Sequence, residues 1–371
     1  MKKLLFILLA LSLFACKSNK KETQELEFAY QEKEIKPEMY YSEDVTFTNE
    51  KENFTLAGTL TLPSREGTFP AAVLITGSGT QNRNEEIMGH KPFLVLADHL
   101  TRNGIAVLRF DDRGAGESKG YNPDATTENF ADDVEAAVNY LLSRNEIDKT
   151  KTGLIGHSEG GIIAPMLAAK SNDIAFIVLL AGPGIQGKDL LLMQTALIAK
   201  AMRTNDSIIE KSTAVNKHLY ELVCNIDDPE EREKQATEYI KHYLSEIPPA
   251  LKGGKTDEEL VAGLLKEINN PFIVYLLRYN PAPTLEKVKC PVLALNGSKD
   301  LQVPSKVNLD AVKTALEKGG NTDFTVKELD GLNHLFQECD TGSPMEYGTI
   351  KQTFSPVALN EISKWILDKV K

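Results

Sequence analysis

Leu154-Ile155-Gly156-His157-Ser158-Glu159-Gly160-Gly161 is the stretch on which the reading of this chain turns. It has the form G-x-S-x-G. An apolar run ends just before it, and small and apolar residues suited to starting a helix follow it. The serine therefore falls on a strand-to-helix turn, which holds a hydroxyl exposed at the end of a sheet, within reach of a base. Composition alone gives roughly 0.1 chance matches to such a pattern in a chain of this length, so the surrounding sequence has to carry the reading.

Outward from the serine, apolar runs alternate with segments of helical period. Ala71-Ala72-Val73-Leu74-Ile75 is a continuous apolar run, expected of a strand buried on both faces, and it ends at Thr76-Gly77-Ser78-Gly79. Phe93, Leu96, Ala97 and Leu100 then recur at helical spacing until Asn103-Gly104 stops the segment. Residues 105–110 form the next strand, and 111–118 a Gly-rich loop. Phe130, Val134, Ala137 and Leu141 mark a second helix, Ile162, Ile163, Met166 and Leu167 the helix after the serine, and 175–180 a further buried strand. Upstream, 45–48 and 54–62 alternate around a polar turn, as in an antiparallel hairpin. Strands alternating with helices predict an α/β fold whose central sheet is mainly parallel and flanked by helices.

That rhythm breaks at residue 184. Segments 190–202, 207–224, 229–244 and 256–265 read as helices, punctuated by Pro248-Pro249 and Gly253-Gly254. So long a stretch without a strand is too large for a loop. It is expected to be an inserted helical cap, 184–284, between two parts of one core, 38–183 and 285–371. The sheet resumes at 291–295, followed by a helix at 305–317, a strand at 324–329 and a last helix at 355–370.

A serine hydroxyl is a weak nucleophile until a base takes its proton, and a third group must hold that base. Of the six histidines, His157 adjoins Ser158 and is expected to point away from it. His90 and His99 flank the first core helix, and His218 and His242 lie on cap helices. His334 sits in a loop after the final strand and is the candidate base. The acid is sought between serine and base in chain order. Asp300, closing Gly297-Ser298-Lys299-Asp300 after a buried run, is the first choice; Asp330 is the competitor. The developing oxyanion needs two convergent N–H groups. Glu159, at a helix N-terminus, is expected to supply one. Ser78, or its neighbour Gly79, supplies the other.

With these residues in order the sequence resembles the α/β-hydrolase superfamily, particularly its esterase and serine-aminopeptidase-like branches. The resemblance rests on Gly156-His157-Ser158-Glu159-Gly160, Asp111-x-Arg113-Gly114-x-Gly116-x-Ser118, Gly297-Ser298-Lys299-Asp300 and His334, and covers residues 45–371. Thr76-Gly77-Ser78-Gly79-Thr80-Gln81-Asn82-Arg83-Asn84-Glu85 is similar to a bacterial esterase subgroup with G-S-G-x-Q-[DN]-R-[DN] there; the His-Gly usual at this loop is Thr76-Gly77 here. The resemblance implies an α/β-hydrolase fold and hydrolysis of a small-molecule carboxylic ester through an acyl-enzyme. Two rival readings stand beside it: a peptidase or amidase with the same triad, and a non-catalytic surface binding protein on this scaffold. The polar run 81–86 is expected to be a solvated loop with substrate contact as the alternative, and Asp111, Asp112 and Arg113 to lock their loop by hydrogen bonds.

The chain has 371 residues and a formal net charge of −11, an acidic balance that argues against nucleic acid as a partner. No zinc-like cysteine spacing exists, and the chemistry calls for no metal or organic cofactor. Cys290 is expected to be a buried structural thiol, and Cys224 and Cys339 are available to pair in an oxidising compartment. Lys2 and Lys3 followed by an apolar run up to Ala15 read as an export signal, too short to span a bilayer comfortably. Leu13-Phe14-Ala15-Cys16 resembles a bacterial lipoprotein lipobox, which implies lipidation of Cys16 and anchoring to a membrane of the cell envelope; an ordinary secretory signal, giving a soluble secreted or periplasmic protein, is the alternative. Residues 16–37 read as a polar, flexible tether.

Overall fold

The structure is a computed structural model that describes residues 39–249 and 252–371; the expected export signal, Cys16 and the expected tether lie outside them. The first strands among the described residues form an antiparallel hairpin, β1 (Tyr41–Asn49) and β2 (Phe54–Leu62), in which Val45 pairs with Gly58. β3 (Phe69–Ile75), helix α1 (Pro92–Arg102), β4 (Ala106–Phe110), α2 (Thr127–Ser143), β5 (Ile147–His157), α3 (Gly160–Ala168) and β6 (Ile177–Leu180) follow. Five helices come next: α4 (Gly187–Ala201), α5 (Asp206–Asn225), α6 (Pro229–Ser245), α7 (Asp257–Ile268) and α8 (Pro271–Arg278). The short α9 (Ala282–Leu285), β7 (Val292–Gly297), α10 (Ser305–Lys318), β8 (Phe324–Leu329) and α11 (Pro356–Lys369) complete the chain.

Among the described residues the strands form one eight-stranded sheet of order β1-β2-β4-β3-β5-β6-β7-β8. β2 meets β4 antiparallel, and every pairing from β4 across to β8 is parallel. After β3 the chain steps outward to β4, then returns to the other side of β3 as β5. The order of winding therefore reverses between β3 and β5, and the carboxyl ends of these strands open a crevice where such folds place their ligands. The register sets those ends level: Ile75 pairs with Gly156, His157 with Leu180, and Gly297 with Leu329.

The central strands are apolar throughout because helices cover both faces. Ala72, Leu74, Val107, Ile155, Val178 and Leu293 point to one face, against Phe93, Leu96 and Leu100 of α1 and Ile362, Trp365 and Ile366 of α11. The alternate residues, such as Val73, Leu154 and Leu179, are fully buried toward the other face. β1 alternates exposed and buried side chains in its second half, as a strand with one wet face should.

The chain divides into two compact units, Gln186–Asn280 and the remainder that carries the sheet. Among its described residues the first holds helices and no strand. Its core includes Leu190, Val215, Leu219, Val223, Ile240 and Leu277. The sequence reading assigned no separate helix to 271–278. The structure forms α8 there because Asn270 caps it, accepting from the Phe272 and Ile273 N–H groups, and Pro271 takes the first helical position. Cys224, Cys290 and Cys339 are all free thiols. Cys290 is held as a neutral thiol by burial, which pushes it up to about 12.

Candidate active site

Ser158 links β5 to α3. Its N–H donates to the Leu180 carbonyl at 2.8 Å, and its own carbonyl accepts from Gly161 N–H at 2.9 Å. Its backbone φ is +51°, in the left-handed region that strains any residue with a Cβ and that clusters at functional sites. The flanking glycines permit the turn by what they lack. A Cβ on Gly156 would stand 2.0 Å from the Gly160 carbonyl oxygen, and one on Gly160 would stand 2.3 Å from that of Ile75. The end of β5, the start of α3 and the end of β3 thus meet backbone to backbone at the serine.

Asp300 follows β7 and is buried. Its Oδ1 accepts the Gln302 and Val303 N–H groups at 2.8 and 2.9 Å, which aims Oδ2 at His334 Nδ1, 2.7 Å away. Asp330, the competing acid, is exposed and accepts instead from the Ser298 hydroxyl. His334 lies beyond β8 in a turn built on buried Asn333, whose Oδ1 accepts from Leu335 and Gln337 N–H. The His334 ring stacks obliquely on that of His157, with centroids 4.8 Å apart. The structure therefore brings Asp300 and His334 into direct contact beside the turn that presents Ser158.

The loop after β3 passes over the serine. The Thr76 hydroxyl donates to both Asp112 carboxylate oxygens, and Gln81 N–H donates to Asp112 Oδ2 at 2.8 Å. Gly77 N–H is committed to Glu85 Oε1 at 2.6 Å. The amides of Ser78 and Glu159 donate to no protein acceptor among the described residues. The Glu159 side chain turns inward, accepting from the Thr127 hydroxyl at 2.7 Å and pairing with the Ser78 hydroxyl. Burial pushes its carboxyl up to about 7, against the pull of those two hydrogen bonds. Asp112 is likewise held well above the usual carboxylate range by burial. Both line a cavity of about 10 Å³ with Asp133 and Ile163.

Asp111, Asp112 and Arg113 do lock the Gly-rich loop. Asp111 accepts from Arg83 N–H and its guanidinium and from Glu117 N–H; burial works against its charge, and these partners still hold the carboxyl below its usual range. Arg113 is buried against Asp133 at 2.7 Å and reaches Glu52 and the Asn129 carbonyl.

Two groups escaped the sequence reading. Run 81–86 is not merely a solvated loop: Glu85 is buried, at φ +51°, and binds His157 Nδ1 at 2.8 Å. His157 does not leave the site either. Its Nε2 lies 3.0 Å from the His334 carbonyl oxygen. The partners are 72 and 177 positions apart in the chain, so no local pattern announces them.

Comparison with known proteins agrees with this architecture. The family model for serine aminopeptidase, S33 (Hydrolase_4) matches residues 91–340. Esterase EstD of Thermotoga maritima is 26% identical over 334 residues, 90% of this chain and 69% of that protein. Among solved structures, the α/β hydrolase GrgF from Penicillium sp. sh18 superposes with a TM-score of 0.54 at 17% identity, covering 89% of this chain and 99% of that one. The Pyrococcus furiosus esterase Pf2001 gives a TM-score of 0.52 at 16% identity, covering 91% and 94%. The level strand ends, the strained serine turn and these matches lead to one assignment: the chain is a hydrolase with the α/β-hydrolase fold and belongs to the serine aminopeptidase S33 (Hydrolase_4) family.

Proposed function

We propose that this hydrolase cleaves small-molecule carboxylic esters through an acyl-enzyme. The observation that carries the reading is the buried Asp300–His334 pair, 2.7 Å apart, at the end of the sheet where Ser158 is presented at φ +51°. Ser158 attacks the ester carbonyl carbon while His334 Nε2 takes the hydroxyl proton. Asp300, on the opposite ring nitrogen, fixes the tautomer that leaves Nε2 free to accept. The Ser78 and Glu159 amides are the candidate donors to the tetrahedral oxyanion, consistent with their having no protein acceptor among the described residues. His334 then passes its proton to the leaving alcohol, and water activated by the same base releases the acid. The esterase name of the Thermotoga maritima relative supports an ester over other acyl substrates.

Wild-type protein should hydrolyse short p-nitrophenyl esters and take up a fluorophosphonate label. Ser158→Ala should lose both, and full turnover in that variant would remove the assignment. The aminopeptidase name of the matching family favours a second reading, cleavage of an amide by the same three residues. A panel of aminoacyl anilides set against acyl esters of matched acyl groups separates the two.

The N-terminal sequence supports a location outside the cytoplasm, with Cys16 acylated as the membrane anchor. Palmitate incorporation should be lost in Cys16→Ala; labelling that survives the substitution refutes the anchor.

A further inference from the structure

Glu85 and His157 form a second histidine–carboxylate pair beside Asp300 and His334, and the reaction above makes no use of it. Glu85 Oε1 takes the Gly77 N–H at 2.6 Å and meets His157 Nδ1 at 2.8 Å. His157 Nε2 meets the His334 carbonyl oxygen at 3.0 Å. Both ring nitrogens therefore face oxygens that only accept, a carboxylate and a backbone carbonyl. Against a carboxylate and a carbonyl each nitrogen presents a hydrogen, the pattern of an imidazolium ring. Burial disfavours a charged ring, but the Glu85 carboxylate outweighs it, with the His334 carbonyl and Asp300 acting in the same direction, so the ring holds its proton above the usual histidine range. Glu85 and Asp300 are the carboxyl groups that act on it, and His334 acts through its backbone carbonyl while its ring packs against that of His157.

The pair spans three chain segments: the loop after β3, the end of β5 and the turn after β8. There is little slack among them. A Cβ on Gly77 would stand 3.2 Å from Ser158 Cβ and 3.3 Å from Glu85 Oε1. Glu85 is itself held in a left-handed backbone conformation, a strain the surrounding contacts must maintain. Glu85 and His157 spend these contacts on Gly77, on each other and on His334, and act through Gly77 and His334.

We propose that Glu85 and His157 are positioning residues, an ion pair that ties the oxyanion loop at Gly77 to the turn carrying His334 and so keeps the Ser78 amide and the His334 ring in register over Ser158. The inference rests on the serine-hydrolase reading. It predicts that the pair acts on the chemical step and only while His157 is protonated.

The test compares wild type, Glu85→Gln and His157→Gln by fluorophosphonate labelling, by ester hydrolysis across pH, and by NMR of ¹⁵N-histidine-labelled wild type. In both variants kcat should fall by about 100-fold, the usual cost of a displacement near 1 Å, while KM stays within about threefold. Wild-type activity should fall on an alkaline limb as His157 loses its proton, and Glu85→Gln should move that limb to lower pH. The wild-type NMR spectrum should show both His157 ring nitrogens protonated at neutral pH. A neutral His157 ring overturns the proposal even if both variants fail to fold. A loss of kcat with the alkaline limb unmoved also overturns it, leaving the pair as a packing contact. Wild-type protein that takes no label overturns the hydrolase reading, and the positioning role with it; labelling of both variants at the wild-type rate overturns the positioning role alone.

Discussion

Replacing Ser158 should remove activity and, for one replacement, raise stability. Ser158 sits at φ +51°, and a left-handed conformation costs a residue with a Cβ roughly 1–2 kcal/mol. Glycine escapes that cost but loses about 0.5–1 kcal/mol through the greater freedom of its unfolded chain. Ser158→Gly should therefore be more stable than wild type by roughly 0.7 kcal/mol, the difference between the midpoints of those two ranges. Ser158→Ala keeps the Cβ and the strain, so it should sit near wild type. The turn does not depend on the side chain for its shape, because Ser158 is held through its own N–H and carbonyl to Leu180 and Gly161. The contrast between the two variants isolates backbone strain, since both lack the hydroxyl and both should lose about 10⁴-fold or more in kcat.

The assay is urea unfolding followed by fluorescence of Trp365, the single tryptophan in the sequence. Its ring lies in α11, 6.3 Å from that of Phe176, so it reports on the unit that carries the serine. Ser158→Gly should unfold at a higher urea midpoint than Ser158→Ala with the same slope. A glycine variant no more stable than the alanine variant would refute the argument that the turn stores strain for function.

Three further outcomes follow from the site. Asp300→Asn should lower kcat by roughly 10³–10⁴-fold with the fold retained, because an amide in place of the carboxylate no longer enforces the tautomer at His334; steady-state kinetics with circular dichroism checks this. Arg113→Met should destabilise by about 3–5 kcal/mol, since Asp133, buried with it, would keep an uncompensated charge, and Asp133→Leu added to it should recover most of the loss in the same urea assay. Glu159 titrates near 7 in the folded protein against an ordinary value of 4.5. Its stabilising neutral form is fully present below about pH 4.5 and lost as the pH rises through about 7, so wild type should lose on the order of 3 kcal/mol at most relative to Glu159→Gln between those limits. Parallel pH curves for the two proteins would contradict the buried, near-neutral carboxyl.

The architecture was legible because it depends on short-range pattern. Short continuous apolar runs such as 71–75, bounded by turn residues, fit strands covered on both faces, and their alternation with helical periods implies parallel crossovers. Ser158 was legible for a similar reason, since G-x-S-x-G states a backbone requirement, and the structure meets it with glycines whose Cβ positions fall on other backbone atoms. Asp300 and His334 could be named from their places after the strands that became β7 and β8. Helix α8 was missed even though its signal, Asn270-Pro271, is local.

What the sequence determined, then, is the order of elements and the residue types delivered to the carboxyl ends of the strands. Tertiary structure decided which of those residues touch. It put Asp300 against His334, in a buried place with two backbone donors, and left Asp330 in solvent. It also brought His157, expected to point away from Ser158, and Glu85, expected in a solvated loop, into buried contact 2.8 Å apart. Such choices rest on burial and on the meeting of groups far apart in the chain. A charged side chain is tolerated in the interior only where a partner meets it, and that partner is supplied by the fold, from positions that no local pattern in the sequence connects.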